Sequence, residues 1–137
     1  MSDISIYKEV LMDHYRNPRN RGDLTDADVV RRGSNPRCGD DIEVGVNFED
    51  GMLGKVMFRG RGCSICLASA SMMTVAVSGK SKRDAHQLAE GMKTWFSADG
   101  GEPARSLQAL QAVRGYSARK RCVLLAWEAL DDALAAE

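Results

Sequence analysis

The amino-acid sequence predicts an α+β fold, a small antiparallel three-stranded sheet with helices packed on one side. Two patterns carry that expectation. Ile42, Val44, Val46 and Phe48 alternate with Glu43, Gly45, Asn47 and Glu49, the period of a half-buried strand, and Asp50-Gly51 supplies a hairpin turn before Val56 and Phe58 resume the alternation. Outside this hairpin, apolar residues recur at helical spacing in one segment before it and in several after it.

In chain order, Ile4, Tyr7, Val10, Leu11 and His14 share a face of an amphipathic first helix. It ends near Asn17-Pro18, because proline restricts the residue before it. Residues 17–28, rich in Pro, Asn, Gly and Asp, form a loop leading into a strand around Val29-Val30-Arg31-Arg32. After the hairpin, the helix from Ser64 to Val77 contains Leu67-Ala68-Ser69-Ala70-Ser71-Met72-Met73, whose small residues let it press tightly on the sheet. Ser81 and Asp84 resemble a capping box that opens a helix through Ala85, Leu88, Ala89 and Met92, with Trp95-Phe96 expected in the core. Residues 98–103 break the pattern, and a short helical segment at Leu107, Leu110 and Val113 is ended by Gly115. Residues 119–135 form a last helix with Cys122 in its first turn and Leu125, Ala126, Ala129, Leu130 and Leu134 inward.

A chain of 137 residues is long enough for one compact domain that buries roughly two thirds of its unfolded surface, so a single domain over 1–137 is expected. Nineteen basic residues cancel nineteen acidic ones, which leaves no global positive field; neither nucleic acid nor a membrane surface is an expected partner. Met1-Ser2-Asp3-Ile4-Ser5 does not read as a secretory signal, and the apolar stretch Leu67 to Val77 is too short to cross a bilayer, so a cytoplasmic location is expected. In a reducing compartment four cysteines read as metal ligands or reactive thiols rather than disulfides.

Three of these cysteines lie in Asn35-Pro36-Arg37-Cys38-Gly39-Asp40-Asp41, Gly60-Arg61-Gly62-Cys63-Ser64-Ile65-Cys66 and Arg119-Lys120-Arg121-Cys122, and together they look like one metal site. Gly39 and Gly62 can bring the backbone close to an ion. The hairpin joins two of the loops: Cys38-Gly39-Asp40 enters its first strand and Gly60-Arg61-Gly62-Cys63 leaves its second, so both ends meet at one edge. The helix that starts beside Cys63 turns its free amide groups toward that sulfur. Cys63-Ser64-Ile65-Cys66 is itself a common zinc or redox signature. From the residues alone, Cys38, Cys63, Cys66 and Cys122 would make a four-thiolate site, while a cysteine at the position of Cys66 is equally a small buried residue. His14, at the end of an apolar helix face, reads as a packed or capping residue.

Asp13-His14-Tyr15-Arg16-Asn17-Pro18-Arg19-Asn20, the Cys38-Gly39-Asp40 loop, Gly62-Cys63-Ser64-Ile65 with Ala68-Ser69-Ala70-Ser71-Met72-Met73-Thr74, and Arg121-Cys122 through Ala126-Trp127 resemble the NifU/IscU-like iron-sulfur cluster assembly family nearly end to end. Two features are most similar to its SufU branch. Arg121 stands where the scaffold branch has a histidine, and an extra helical insert spans about 95–115. The resemblance implies a SufE/NifU-like fold and a sulfurtransferase-type sulfur carrier working with a SufS-like cysteine desulfurase and with downstream iron-sulfur assembly proteins. It implies Zn²⁺ held by Cys38, Asp40, Cys63 and Cys122, with Cys38 accepting the persulfide sulfur. Because family members often carry another residue at the position of Cys66, it implies that Cys66 lies outside the ligand set.

Three thiolates and a carboxylate close a tetrahedron around zinc, which leaves no open position for water and disfavours hydrolytic chemistry. Two alternatives share the same residues. One is a scaffold for a [2Fe-2S] cluster or iron at the same ligands, since thiolates accept both; the other is a zinc-stabilised interaction domain without sulfur chemistry.

Overall fold

The computed structural model describes residues 3–36, 39–97, 105–113 and 119–136. The elements run α1 (Asp3–Arg16), β1 (Val29–Asn35), β2 (Asp40–Glu49), β3 (Met52–Arg61), α2 (Ser64–Val77), α3 (Lys82–Ser97), a 3₁₀ helix (Arg105–Val113) and α4 (Lys120–Ala135). The strands form one antiparallel sheet in the order β1-β2-β3, the α+β architecture the alternation predicts.

Local chemistry fixes the boundaries. The first helix stops at Arg16, two residues short of Pro18, with the Asn17 N–H donating to the Asp13 carbonyl at 2.8 Å. The hairpin turns through Asp50 and Gly51, both at positive φ (52° and 80°), as a two-residue turn matched to strand twist requires. Ser81 Oγ accepts the Asp84 N–H at 3.0 Å at the head of α3. The first strand runs three residues beyond the expected Val29-Val30-Arg31-Arg32, through Gly33, Ser34 and Asn35, because β2 pairs with it all the way to Asn35↔Asp40.

Ile42, Val44, Val46, Leu53, Val56 and Phe58 are buried on the sheet's inner face. Over them lie α4, which packs on β1 and β2, and α2, which packs on β3. Cys66 through Thr74 are buried without interruption, so α2 has no polar face and sits in the interior. Close approach is built in at Gly33, where a Cβ would meet the Leu125 carbonyl oxygen of α4 at 2.9 Å. The 17–28 loop covers the outer side of β3: Gly22 N–H donates to the Phe58 carbonyl and Phe58 N–H to the Asn20 carbonyl, each at 3.0 Å, while Leu24 is buried beside Gly45. That edge is paired rather than open.

Some expectations change. Among the described side chains of α1 only Leu11 is fully buried and Val10 is exposed, because α1 packs along α2 and the 3₁₀ helix through a narrower stripe than the spacing suggests; the side chain of Ile4 lies outside the described residues. Trp95 is core, as expected; the side chain of Phe96 lies outside the described residues. Leu107, Leu110 and Val113 are buried on a 3₁₀ rather than an α helix. The break at 98–103, Gly115 and much of the 95–115 insert lie outside the described residues.

Candidate metal centre

Three side chains converge at the end of the sheet, one each from the start of β2, α2 and α4. Asp40 opens β2 and is buried; Gly39 before it takes φ 71°, a left-handed turn that suits glycine. Cys63 is the N-cap of α2, partly exposed, with the Cys66 N–H donating to its sulfur at 3.4 Å. Cys122 is fully buried in the first turn of α4. One carboxylate oxygen of Asp40 and the sulfurs of Cys63 and Cys122 all lie within 4.8 Å of one another.

The electrostatics of this cluster call for a cation. Asp40 Oδ1 accepts the Cys63 N–H at 2.9 Å, which orients the carboxylate, but Asp40 Oδ2 is buried with no hydrogen-bond partner. Leaving a buried carboxylate oxygen unpartnered costs at least about 1–3 kcal/mol. Burial, followed by hydrogen bonding to Asp40 and Cys63 and by their negative charge, pushes the Cys122 thiol up to about 12. Cys122 therefore resists ionising here unless a positive ion sits beside it, and coordination would reverse that balance by removing the thiol proton outright. Two sulfurs and a carboxylate oxygen at this spacing fit a zinc ion that takes a fourth donor from elsewhere.

Of the residues singled out in the sequence, Asp40, Cys63 and Cys122 are brought together, while Cys38 lies outside the described residues. Cys66 is not part of the cluster. It is fully buried, and its sulfur occupies the space beside Gly62, where a Cβ would meet it at 3.1 Å and Asp40 Oδ1 at 2.9 Å. His14 lies on the flank of α2, where its Nδ1 pairs with Ser71 Oγ at 2.8 Å. Arg121 is on the surface with its guanidinium 3.5 Å from Glu128.

Sequence reading missed the residue that holds two of the ligand helices together. Ser69 Oγ donates to the Val123 carbonyl at 2.7 Å and accepts the Trp127 indole N–H at 3.2 Å, a buried bridge between α2 and α4 next to Cys122. The only sequence signal was a hydroxyl among small residues on an apolar helix. A second cluster of possible donors, His86, Glu90 and Asp131, is already balanced: Lys93 Nζ lies 3.1 Å from Asp131 and 3.4 Å from Glu90. Beside Cys63, a groove of about 480 Å³ is lined by Lys8, Leu11, Met12, Ile65, Val113 and Arg119.

A sheet of three antiparallel strands with two cysteines and a carboxylate converging at its end, under an apolar helix, defines a small domain with a candidate metal centre. The chain belongs to the NifU-like N-terminal domain family, whose model matches residues 6–136. It is 39% identical over 136 residues to the zinc-dependent sulfurtransferase SufU of Bacillus subtilis (strain 168), covering 97% of this chain and 92% of that protein. To the iron-sulfur cluster assembly scaffold protein IscU of Thermotoga maritima it is 34% identical over 132 residues, covering 94% of this chain and 92% of that protein. The N-terminal part of a nitrogen-fixing NifU-like protein from Brucella abortus superposes with a TM-score of 0.87 at 23% identity, over 95% of this chain and 92% of that one, and shares the fold. Among the described residues, no helix is long and apolar enough to cross a membrane.

Proposed function

We propose that this chain is a zinc-bound sulfur acceptor in iron-sulfur cluster assembly, taking persulfide sulfur from a cysteine desulfurase in the cytoplasm onto Cys38. The observation that carries the reading is the convergence of Asp40, Cys63 and Cys122 around an unpartnered buried carboxylate oxygen. The SufU of Bacillus subtilis, named a zinc-dependent sulfurtransferase, supports it. So does Arg121, which occupies the position before the last cysteine and is engaged with Glu128 at the surface, with no imidazole there to join the donors.

When bound, the ion supplies charge that keeps the coordinated cysteines as thiolates at neutral pH without an open position for water. The protein does the rest. Cys63 and Cys122 would hold the ion from two helices tied together by Ser69. Asp40, fixed by the Cys63 amide, would contribute a harder and more exchangeable donor than thiolate. The Cys38 thiolate attacks the outer sulfur of the desulfurase persulfide; a new sulfur-sulfur bond forms at Cys38, the old one breaks, and the desulfurase cysteine leaves as its thiolate. The groove beside Cys63 offers an apolar floor next to the donors for the incoming partner.

The relative named an iron-sulfur cluster assembly scaffold favours a second reading, in which the same ligands hold a [2Fe-2S] cluster. Protein purified without oxygen separates the two: about one zinc per chain and no visible chromophore supports sulfur acceptance, and a stoichiometric iron-sulfur chromophore supports the scaffold. Stimulation of desulfurase turnover that disappears in Cys38→Ser is the expected functional result, and wild-type stimulation by that variant would sink the assignment of Cys38. An interaction domain without sulfur chemistry would bind zinc and leave desulfurase turnover unchanged.

A further inference from the structure

Cys66 is a buried nucleophile that sulfur acceptance does not use. We propose that it is the resolving partner of Cys63: oxidation of Cys63 by a hydroperoxide joins the two in a disulfide across the first turn of α2 and withdraws Cys63 from the metal centre. The disulfide stands on local geometry alone, whereas the loss of metal rests also on the reading in which Cys63 is a ligand.

Cys63 caps α2 and Cys66 follows three residues later, with its N–H directed at the Cys63 sulfur at 3.4 Å. One helical turn brings Cα atoms within the roughly 4.4–6.8 Å that a disulfide spans. Cys66 belongs to the buried core at the foot of α2. Its sulfur lies against the backbone at Gly62, in the same small space that a Cβ there would share with Asp40 Oδ1. Exposure differs in the sense a resolving pair needs, since Cys63 is partly open to solvent and Cys66 is fully buried. An oxidant in solution therefore meets Cys63 first, and the nearby protected thiol completes the reaction. Cys122 is also close to Cys63, but it belongs to a separate helix held in place by the Ser69 bridge. Joining Cys63 to Cys122 would pull two clamped helices together, whereas joining Cys63 to Cys66 closes within one turn of one helix.

The chemistry balances with the hydroperoxide as sole oxidant. Cys63 sulfur attacks the O–O bond; a sulfur-oxygen bond forms, the O–O bond breaks, and the departing oxygen leaves as an alcohol, or as water from hydrogen peroxide. Cys66 sulfur then attacks the resulting sulfenic acid; the sulfur-sulfur bond forms and the hydroxyl leaves with the Cys66 proton as water. Two thiols have lost two electrons to the peroxide, and a dithiol reductant returns them.

The test treats the zinc-loaded full chain, and the same chain stripped of metal, with hydrogen peroxide, then maps disulfides by peptide mass while a coloured chelator reports released zinc. In both forms a disulfide between Cys63 and Cys66 is expected, reversed by dithiothreitol. In the loaded form zinc release should track it. Cys66→Ala, which keeps a small apolar side chain in the buried position, should release zinc about 10-fold more slowly or less, because the intramolecular thiol is gone. A disulfide from Cys63 to Cys38 or Cys122 instead, or no disulfide at Cys63 in either form, overturns the proposal, and zinc that leaves wild type and Cys66→Ala at the same rate overturns the claim that the disulfide drives its loss. If the Cys63–Cys66 disulfide forms while zinc stays bound, the resolving pair stands and the assignment of Cys63 as a ligand falls.

Discussion

Ser69 Oγ donates a 2.7 Å hydrogen bond to the carbonyl oxygen of Val123, so the helix that begins at Cys63 and the helix that carries Cys122 are tied together one residue from the metal centre. Trp127 donates its indole N–H to Ser69 Oγ at 3.2 Å. Removing the hydroxyl leaves the buried indole N–H without its acceptor and takes the cross-helix bond from the Val123 carbonyl, at a cost of about 1–3 kcal/mol. Ser69→Ala should therefore lower the melting temperature and also raise the zinc lost at a fixed chelator concentration. A purely structural role away from the site would move the first measurement and leave the second unchanged once both proteins are compared well below melting.

Gly62 marks how tightly the centre is packed. A Cβ there would meet Asp40 Oδ1 at 2.9 Å and the Cys66 sulfur at 3.1 Å, so Gly62→Ala must displace either the carboxylate or the first turn of α2. Overpacking of this kind costs about 1–3 kcal/mol. The expected outcome is a folded protein by circular dichroism with reduced zinc stoichiometry. Full zinc retention at matched chelator would show that the carboxylate can move without consequence.

His14 predicts a pH dependence. Burial, and then the positive charge of Arg19, hold its pKa below the ordinary value of 6.5, against a smaller opposing pull from Asp13. The Ser71 hydroxyl, which accepts the Arg19 N–H at 2.8 Å, also pairs with His14 Nδ1 at 2.8 Å and holds the ring in this half-buried position. At His14 the folded chain thus binds fewer protons than the unfolded chain as pH falls through about 6.5, and this group's contribution to stability falls with it. His14→Gln should flatten the fall between pH 7.5 and about pH 5.5 in denaturant titrations. An equal fall in both proteins would assign it to other groups.

Much of this was legible in the chain because period and punctuation are local. The alternation at Ile42 to Phe48 and the Asp50-Gly51 turn are sufficient to specify the hairpin, and the hairpin alone implies that Asp40 and Cys63 meet. Val10 was misassigned because helical spacing does not tell how wide a stripe the neighbouring helices cover. The Ser69 bridge and the packing of Cys66 against Gly62 were not legible, since each depends on which atoms face one another across a tertiary contact. His14 could be read as packed but not as bound to Ser71, 57 positions away in the chain.

The identity of the donors is the remaining question that mutation can answer, and Asp40 and Cys66 give opposite expectations. Asp40 has one oxygen engaged with the Cys63 amide and the other buried without a partner. Cys66 is packed beside the centre but outside the group of converging donor atoms. Asp40→Asn separates the two tasks of the carboxylate, because the amide oxygen can still accept the Cys63 N–H while the negative charge is lost. It should fold, and it should lose zinc at chelator concentrations that leave wild type loaded, since a neutral amide is a poorer donor to zinc. Asp40→Ala should lose zinc more readily still, having neither the charge nor the bond that orients Cys63. Cys66→Ser, kept under reducing conditions, should retain zinc near the wild-type level, because its side chain borders the donors without joining them. The measurement is zinc stoichiometry for the three variants at one chelator concentration. Zinc lost from Cys66→Ser but kept by both Asp40 variants would make the centre a four-thiolate site and remove Asp40 from it.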